Sequence, residues 1–221
     1  MGKKTLLSWS SGKDSAWTLY LLQQDPGVEL AGLFTVINRK YNRASMHATR
    51  LDLLQKQADA AGMELRIIEL PDQCSNEECD AIMAEFIVAC EEEGIECIAF
   101  GDLFLEDIRS YRENQLRRTK IMPLFPLWKI PTARLAEQML TAGMEAYISS
   151  VDLARLPASF AGKKWSRTLL NTIPAEYDLC GENGEMHTIV VGGPMFHQTI
   201  RVRIGEIIER NGFAYADIIP V

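Results

Sequence analysis

Thr5-Leu6-Leu7-Ser8-Trp9-Ser10-Ser11-Gly12-Lys13-Asp14-Ser15-Ala16 joins an apolar run to a helical one through a loop of small and charged residues. Thr5 to Trp9 has the length and composition of a buried strand. Ser15 to Gln24 then sets Ala16, Leu19, Tyr20 and Leu22 at helical spacing, until Asp25-Pro26-Gly27 stops the pattern. In an open α/β sheet, ligands bind beyond the carboxyl ends of the strands. A helix start offers free backbone N–H groups and a partial positive charge, both suited to phosphate. The loop therefore reads as a phosphate cradle. Ser10, Ser11 and Ser15 bring hydroxyls, Gly12 lets the backbone come close, and Lys13 brings a full charge. Asp14 must be balanced by Lys13 or a metal ion; the plainer reading is a capped helix start with a solvated lysine. The loop is not a Walker-type P-loop, because Leu7 stands where its first glycine would be and Asp14 where its Ser or Thr would be. No G-x-G-x-x-G is present.

Outward from this loop the pattern alternates. Leu30 to Ile37 reads as a strand, Asn38 to Ser45 as a loop, and His47 to Ala61 as a helix that Gly62 would cap. Glu64 to Leu70 is a third strand. Ser75 with Glu78 forms a capping-box signature for a helix running to Glu93, before Gly94. Cys97 to Phe100 is a fourth strand, followed by Gly101-Asp102. Strands return roughly every 30 residues, the length of a βαβ unit. The expectation is an α/β fold: a doubly wound, Rossmann-like parallel sheet with right-handed crossovers and helices on both faces. Pro123, Pro126 and Pro131 mark a change of texture. They divide the chain into residues 1–125 and residues 126–221, a smaller α+β unit. In that unit Thr132 to Ala142 and Trp165 to Asn171 read as helices. Glu145 to Ser149, Tyr177 to Cys180, Met186 to Val191 and Thr199 to Ile204 read as strands. Asn183-Gly184 is a hairpin signal between two of them.

Composition excludes several classes. The 221 residues carry 23 Lys plus Arg against 30 Asp plus Glu, a formal charge of -7. That balance argues against general nucleic-acid binding. No run of about 18 apolar residues predicts a membrane span. The basic start, Met1 to Lys4, is followed by an apolar run that ends at Ser8, too short for a signal peptide, so a cytoplasmic protein is expected. The five cysteines are odd in number, contain no C-x-x-C and read as reduced thiols. Cys74 and Cys79 lack the further ligands that zinc needs.

The loop Ser10 to Ser15 is similar to the Ser-Gly-Gly-x-Asp-Ser signature of the PP-loop ATP pyrophosphatases, with Ser11 in place of the first glycine of the pair. Met46-His47-x-x-Arg50, Gly101-Asp102 and Gly181-Glu182-Asn183-Gly184-Glu185-Met186-His187-Thr188 follow in order. Together they resemble the diphthine–ammonia ligase-like branch of the N-type ATP pyrophosphatases, over nearly the whole chain. The late motif of that branch usually ends Gly-Gly-Glu-Phe/Tyr-Glu-Thr, so Asn183 and His187 are departures.

The resemblance implies that ATP, with Mg²⁺, is split between its α and β phosphates to activate a carboxylate, which ammonia then converts to an amide. It implies phosphate and nucleotide contacts from Ser10, Ser11, Gly12, Lys13, Asp14, Ser15, His47, Arg50 and Gly101. It implies a metal near Asp14 and Asp102, and acceptor or proton-transfer roles for Glu182, Glu185 and His187, with Lys13 and Asp14 also catalytic. Glu185 and His187 would share a sheet face. Plainer roles exist for several of these: a helix start for His47, a solvated side chain for Arg50, a helix cap for Asp102, a turn for Asn183-Gly184. Arg109, Arg112 and Arg117 read as a solvated helix face from which one could bind a carboxylate, and Cys180 reads as core. The acceptor is diphthine or, for relatives with the Asn and His form, a compound of cobalamin salvage. A non-catalytic ATP-binding module is the alternative. A sulfur-transferring or tRNA-modifying enzyme is disfavoured by the acidic balance and the missing C-x-x-C. A homodimer is compatible with all of these readings.

Overall fold

A computed structural model describes residues 2–40, 43–44 and 49–221. Met46 and His47, singled out from the sequence, lie outside the described residues. The N-terminal half runs β1 (Lys3–Ser8), α1 (Lys13–Gln24), β2 (Val28–Asn38), β3 (Arg43–Ala44), α2 (Leu51–Ala61), β4 (Leu65–Leu70), α3 (Asn76–Glu92), β5 (Cys97–Ala99), α4 (Glu106–Leu116) and β6 (Met122–Leu124). β1 pairs in parallel with β2 on one side and β5 on the other, β2 also takes β4, and β5 takes β6. The parallel order is therefore β4-β2-β1-β5-β6, and β3 adds an antiparallel pair to the end of β2. The chain winds outward from β1 through β2 to β4, then returns to β5 and continues to β6. The reversal falls between β1 and β5, whose carboxyl ends carry the Ser10–Ser15 loop and Gly101-Asp102. Such a switch point opens a ligand crevice.

Alternation along β1 sorts the core. Leu7 joins a large buried cluster with α1, α2 and the C-terminal half. Leu6 faces the other way, into a smaller cluster with Phe34, Ile87, Ile98 and Phe100 under α3. Local signals behave as the sequence implies. Ser75 and Glu78 complete the capping box of α3, and Gly62 ends α2 at φ 66.

The C-terminal half runs α5 (Thr132–Thr141), β7 (Glu145–Asp152), a 3-10 turn (Ala158–Phe160), α6 (Arg167–Leu170), β8 (Met186–Gly192), β9 (Val202–Arg210) and β10 (Phe213–Pro220). Its antiparallel sheet has the order β8-β7-β10-β9.

Several expectations need correction. Met122–Leu124, read as part of a change in texture, is β6; Pro123 is tolerated because β6 is an edge strand of the parallel sheet. Tyr177 to Cys180 is not a strand. The Asp178 carboxylate accepts from the Cys180 N–H (2.8 Å) and the Glu182 N–H (3.3 Å), which folds the segment into a turn. Gly181 then turns left-handed at φ 73, so Asn183-Gly184 joins no hairpin. The last strand pair is instead β9–β10, across Asn211 (φ 53) and Gly212 (φ 80). Cys74 and Cys79, expected to be reduced, are joined in a disulfide with Cα atoms 5.8 Å apart. Among the described residues, no helix is long and apolar enough to cross a membrane.

Candidate functional site

The loop after β1 is built almost entirely from internal contacts. Ser15 Oγ donates to the Gly12 carbonyl (3.0 Å) and lies 3.0 Å from Ser10 Oγ. Ser11 adopts φ 69, a left-handed conformation that a glycine would take without strain. Three hydrogen bonds hold it there. Its hydroxyl pairs with Thr49 Oγ1 at 2.6 Å. Its carbonyl accepts from Gln57 Nε2 (3.1 Å) and from the Val190 N–H (3.0 Å). Its side chain is fully buried. Gln57, on the apolar face of α2, also accepts from Trp9 Nε1 (3.0 Å) and donates to the Val190 carbonyl (2.7 Å). One amide side chain thereby ties β1, the loop, α2 and β8 together. Sequence reasoning missed both Thr49 and Gln57. The one available sign was a glutamine among Leu53, Leu54, Ala58 and Ala61.

The C-terminal sheet presses directly on this loop. Thr188 Oγ1 accepts from the Lys13 N–H (3.2 Å), and a Cβ on Gly12 would stand 3.2 Å from the Thr188 carbonyl. From the other side, a Cβ on Gly101 would meet the Asp14 carbonyl carbon and the Ser15 nitrogen at 3.0 Å each. Gly101 thus serves the close approach of the β5 end to the loop.

Lys13 is buried, and its ammonium lies 2.8 Å from Asp14 Oδ2. Burial pulls its pKa down, but Asp14, with smaller help from Cys180 and Glu182, outweighs this and raises it to about 12. Burial pushes the Asp14 carboxyl up, with Lys13 opposing, and its Oδ1 has no hydrogen-bond partner. Asp102 is similar. Burial raises its pKa, Arg112 at 3.9 Å opposes, Asp14 adds to the rise, and Oδ2 is unpartnered. Glu182 Oε1 accepts from the Leu103 N–H (3.1 Å). Burial, opposed by that bond and reinforced by the Asp14 charge, lifts the Glu182 carboxyl to about 7. His187 is driven the other way, to about 4, by burial and then by the Lys13 charge. Lys13, Asp14, Asp102, Glu182 and His187 thus form one electrostatically coupled group at the β1–β5 crevice.

Two predicted residues also have partners within the protein. Arg50, preceding α2, pairs with Asp52 (3.2 Å) and Asp217 (3.4 Å). Glu185 Oε1 accepts from the Asp178 N–H (3.1 Å) and Asn183 Nδ2 (3.3 Å) and meets Arg155 at 3.4 Å. Burial raises the Cys180 thiol pKa strongly, which suits the core role read from the sequence. Beside the loop, a cleft of about 310 Å³ opens between the sheet and helices α3 and α4. It is lined by Trp9, Ser10, Phe34, Phe86, Phe100 and Arg112, among others.

The chain matches two family models, the diphthamide synthase N-terminal domain over residues 3–122 and the diphthamide synthase C-terminal domain over residues 131–218. Curated relatives include the diphthine–ammonia ligases of Homo sapiens, 24% identical over 80% of this chain and 68% of that one; of Mus musculus, 26% over 71% and 61%; and of Bos taurus, 26% over 66% and 57%. The chain therefore spans about three fifths of the length of the cattle and mouse proteins. Among solved structures, the U34-tRNA thiolase NcsA of Methanococcus maripaludis is a distant neighbour. Its TM-score is 0.41 at 18% identity, over 63% of this chain and 58% of that one. The two models together cover both halves of the fold in order, and the chain belongs to the diphthamide synthase family.

Proposed function

We propose that the protein is an ATP-dependent, AMP-forming ligase that activates a carboxylate for attack by ammonia. The observation that carries this is the Lys13–Asp14 pair at the sheet's switch point, with no hydrogen bond to Asp14 Oδ1 or to Asp102 Oδ2, the latter 3.9 Å from Arg112 Nε. Diphthine–ammonia ligase activity in the curated relatives supports the same reading. The pyrophosphate end of ATP sits on the Ser10–Ser15 loop, and the adenine lies in the apolar cleft beside it, among Phe34, Phe86 and Phe100.

Mg²⁺ fits this arrangement. The ion takes one or two carboxylates and completes its shell with phosphate oxygens and water. Asp14 Oδ1 and Asp102 Oδ2 are available for that. No group of three or more His, Cys, Asp or Glu forms a protein cage among the described residues, so the ion would come with the nucleotide. When bound, it neutralises charge on the phosphates.

The chemistry balances in two steps. A carboxylate oxygen of the acceptor attacks the α phosphorus, the bond to the β phosphate breaks, and pyrophosphate leaves with Lys13 offsetting its charge. Ammonia then attacks the acyl carbon, the bond to the AMP oxygen breaks, and the amide forms. Converting ammonium to the amide nitrogen releases two protons. Glu182, poised at about 7, takes the first. His187, neutral at pH 7, and Glu185 shape the acceptor side. Residues 1–125 bind the nucleotide and residues 126–221 the acceptor. The acceptor is diphthine, as the names of the relatives suggest, or another carboxylate suited to the Asn183 and His187 form of the motif.

Incubation of the protein with MgATP, ammonium and either a diphthine-bearing protein or a small-molecule cell extract tests this. AMP and pyrophosphate should appear in equal amounts, and only when an acceptor is present. ADP and phosphate, or bound ATP that is never cleaved with either acceptor, would contradict it.

A further inference from the structure

Among the described residues, the buried side-chain polar atoms without a hydrogen-bond partner fall into two groups. Asp14 Oδ1, Asp102 Oδ2 and Arg112 Nε belong to the nucleotide side. Ser149 Oγ, Ser150 Oγ and Glu185 Oε2 lie on β7 and at the entry to β8, and the mechanism above uses neither serine and gives Glu185 Oε2 no ligand of its own.

The strand register brings two of these together. Ser150 stands opposite His187, and the Asp152 N–H donates to the Glu185 carbonyl at 2.9 Å, so Asp152 stands opposite Glu185. Residues directly opposite each other share a face, as do alternate residues on one strand. Ser150, Asp152, Glu185 and His187 therefore line one face of the β7–β8 pair. Ser149 is the extra residue where the register slips between Ile148 and Ser150. Ser150 and Glu185 are each 1% exposed. Glu185 is anchored by one oxygen only: Oε1 takes the Asp178 and Asn183 donors and faces Arg155, and Oε2 takes nothing.

The open atoms are a carboxylate oxygen and a hydroxyl, and the adjacent imidazole is neutral at pH 7 because its pKa is held to about 4. The carboxylate repels an anion, while a small cation with several N–H donors satisfies both oxygens. Diagonal neighbours across an antiparallel pair are about 7–8 Å apart at the backbone, a span that a long side chain such as that of Glu185 can reach across. These side chains also lie close to the chemistry. His187, on that same face, is within electrostatic reach of Lys13.

We infer that Glu185 Oε2 and Ser150 Oγ form a binding site for ammonium, which supplies the nitrogen of the amide. This inference rests on the ligase reading and adds Ser150 to it as a substrate-binding residue.

Thallium(I), an ammonium-sized monovalent cation, tests the site without reference to activity. Crystals soaked in thallium(I) acetate should give an anomalous peak between Glu185 and Ser150 that excess ammonium chloride displaces. An empty pocket would overturn the inference. In solution, Ser150→Ala should raise the apparent KM for ammonium about 10-fold or more, the loss of one hydrogen bond to a charged group. Acceptor-dependent ATP–pyrophosphate exchange, run without ammonium, should stay at the wild-type rate. An unchanged ammonium KM would also overturn the site. Absence of the exchange in wild type would instead overturn the ligase reading, and the thallium peak would still decide whether the pocket takes a monovalent cation.

Discussion

The loop after β1 and the wall formed by β7 and β8 treat their polar atoms in opposite ways. In the loop, Ser10, Ser11, Ser15 and Lys13 all have partners within the protein, and Ser11 is held in a strained conformation by groups from α2 and β8. On the wall, Ser149, Ser150 and one oxygen of Glu185 are buried with no partner. A cradle for a large, highly charged group gains from being fixed before the ligand arrives, because little reorganisation is then left for the reaction itself. A site for a small ion needs only a few acceptors left open. The contrast separates the part of the site that is finished by folding from the part that a ligand completes.

Lys13→Ala should break the loop side most severely. AMP formation should fall by about 10³-fold or more, since the cation that meets the leaving pyrophosphate is gone. The same change leaves Asp14 without its ion pair at 2.8 Å, so stability should fall by about 3 kcal/mol as well. Turnover is to be measured at a temperature where circular dichroism reports a folded variant. Near-normal turnover would remove the loop from the chemistry.

Gln57→Leu probes how the loop is fixed. It deletes three buried hydrogen bonds and strands the Trp9 indole N–H. The expected cost is about 3 kcal/mol in urea unfolding. A cost below about 1 kcal/mol would mean that Val190 and Thr49 are enough to secure Ser11.

Glu182→Gln tests the price of function at the junction of the two regions. The Glu182 carboxyl is raised to about 7 from an ordinary 4.5. A raised acid favours the folded state fully below the unfolded value, and that advantage is lost as pH rises through the folded one. The variant should therefore be more stable than wild type at pH 8, by about 1–2 kcal/mol after solvent screening, and not at pH 4. Its ligase rate should drop about 100-fold and lose the limb that rises near pH 7. Equal stability at both pH values would argue that the carboxyl is not desolvated.

Ser11→Gly should matter least. Relief of the φ 69 strain, about 1 kcal/mol, is offset by loss of the bond to Thr49. The stability change should stay within about 1 kcal/mol, and a larger loss would show that the serine hydroxyl holds more than its backbone strain costs.

What could be read from the sequence followed the range of the signal. The strand–loop–helix at Thr5 to Gln24, the Ser75–Glu78 cap and the Gly62 stop are local, and each formed as read. The Tyr177 to Cys180 segment looked like a strand because its apolar residues were visible and its fastening was not. The Asp178 carboxylate folds it, and Glu185, seven residues on, fixes Asp178 in turn. β10 was missed although Asn211-Gly212 marks its turn. Lys13, Asp14, Asp102 and Glu182, which the fold brings into one electrostatically coupled group, each stand in a short motif. Gln57 could not be found that way, since its partners lie 46 and 133 residues away. The pairing of Arg50 with Asp52 and Asp217 was equally invisible, since Asp217 lies 167 residues away.

The most direct test of an acyl-adenylate is to follow oxygen. An acceptor whose carboxylate is labelled with ¹⁸O should be converted with MgATP and ammonium, and the products read by mass spectrometry. The account predicts one ¹⁸O in the phosphate of AMP and none in pyrophosphate. Label in inorganic phosphate with ADP as the other product, or AMP carrying no label, would contradict it.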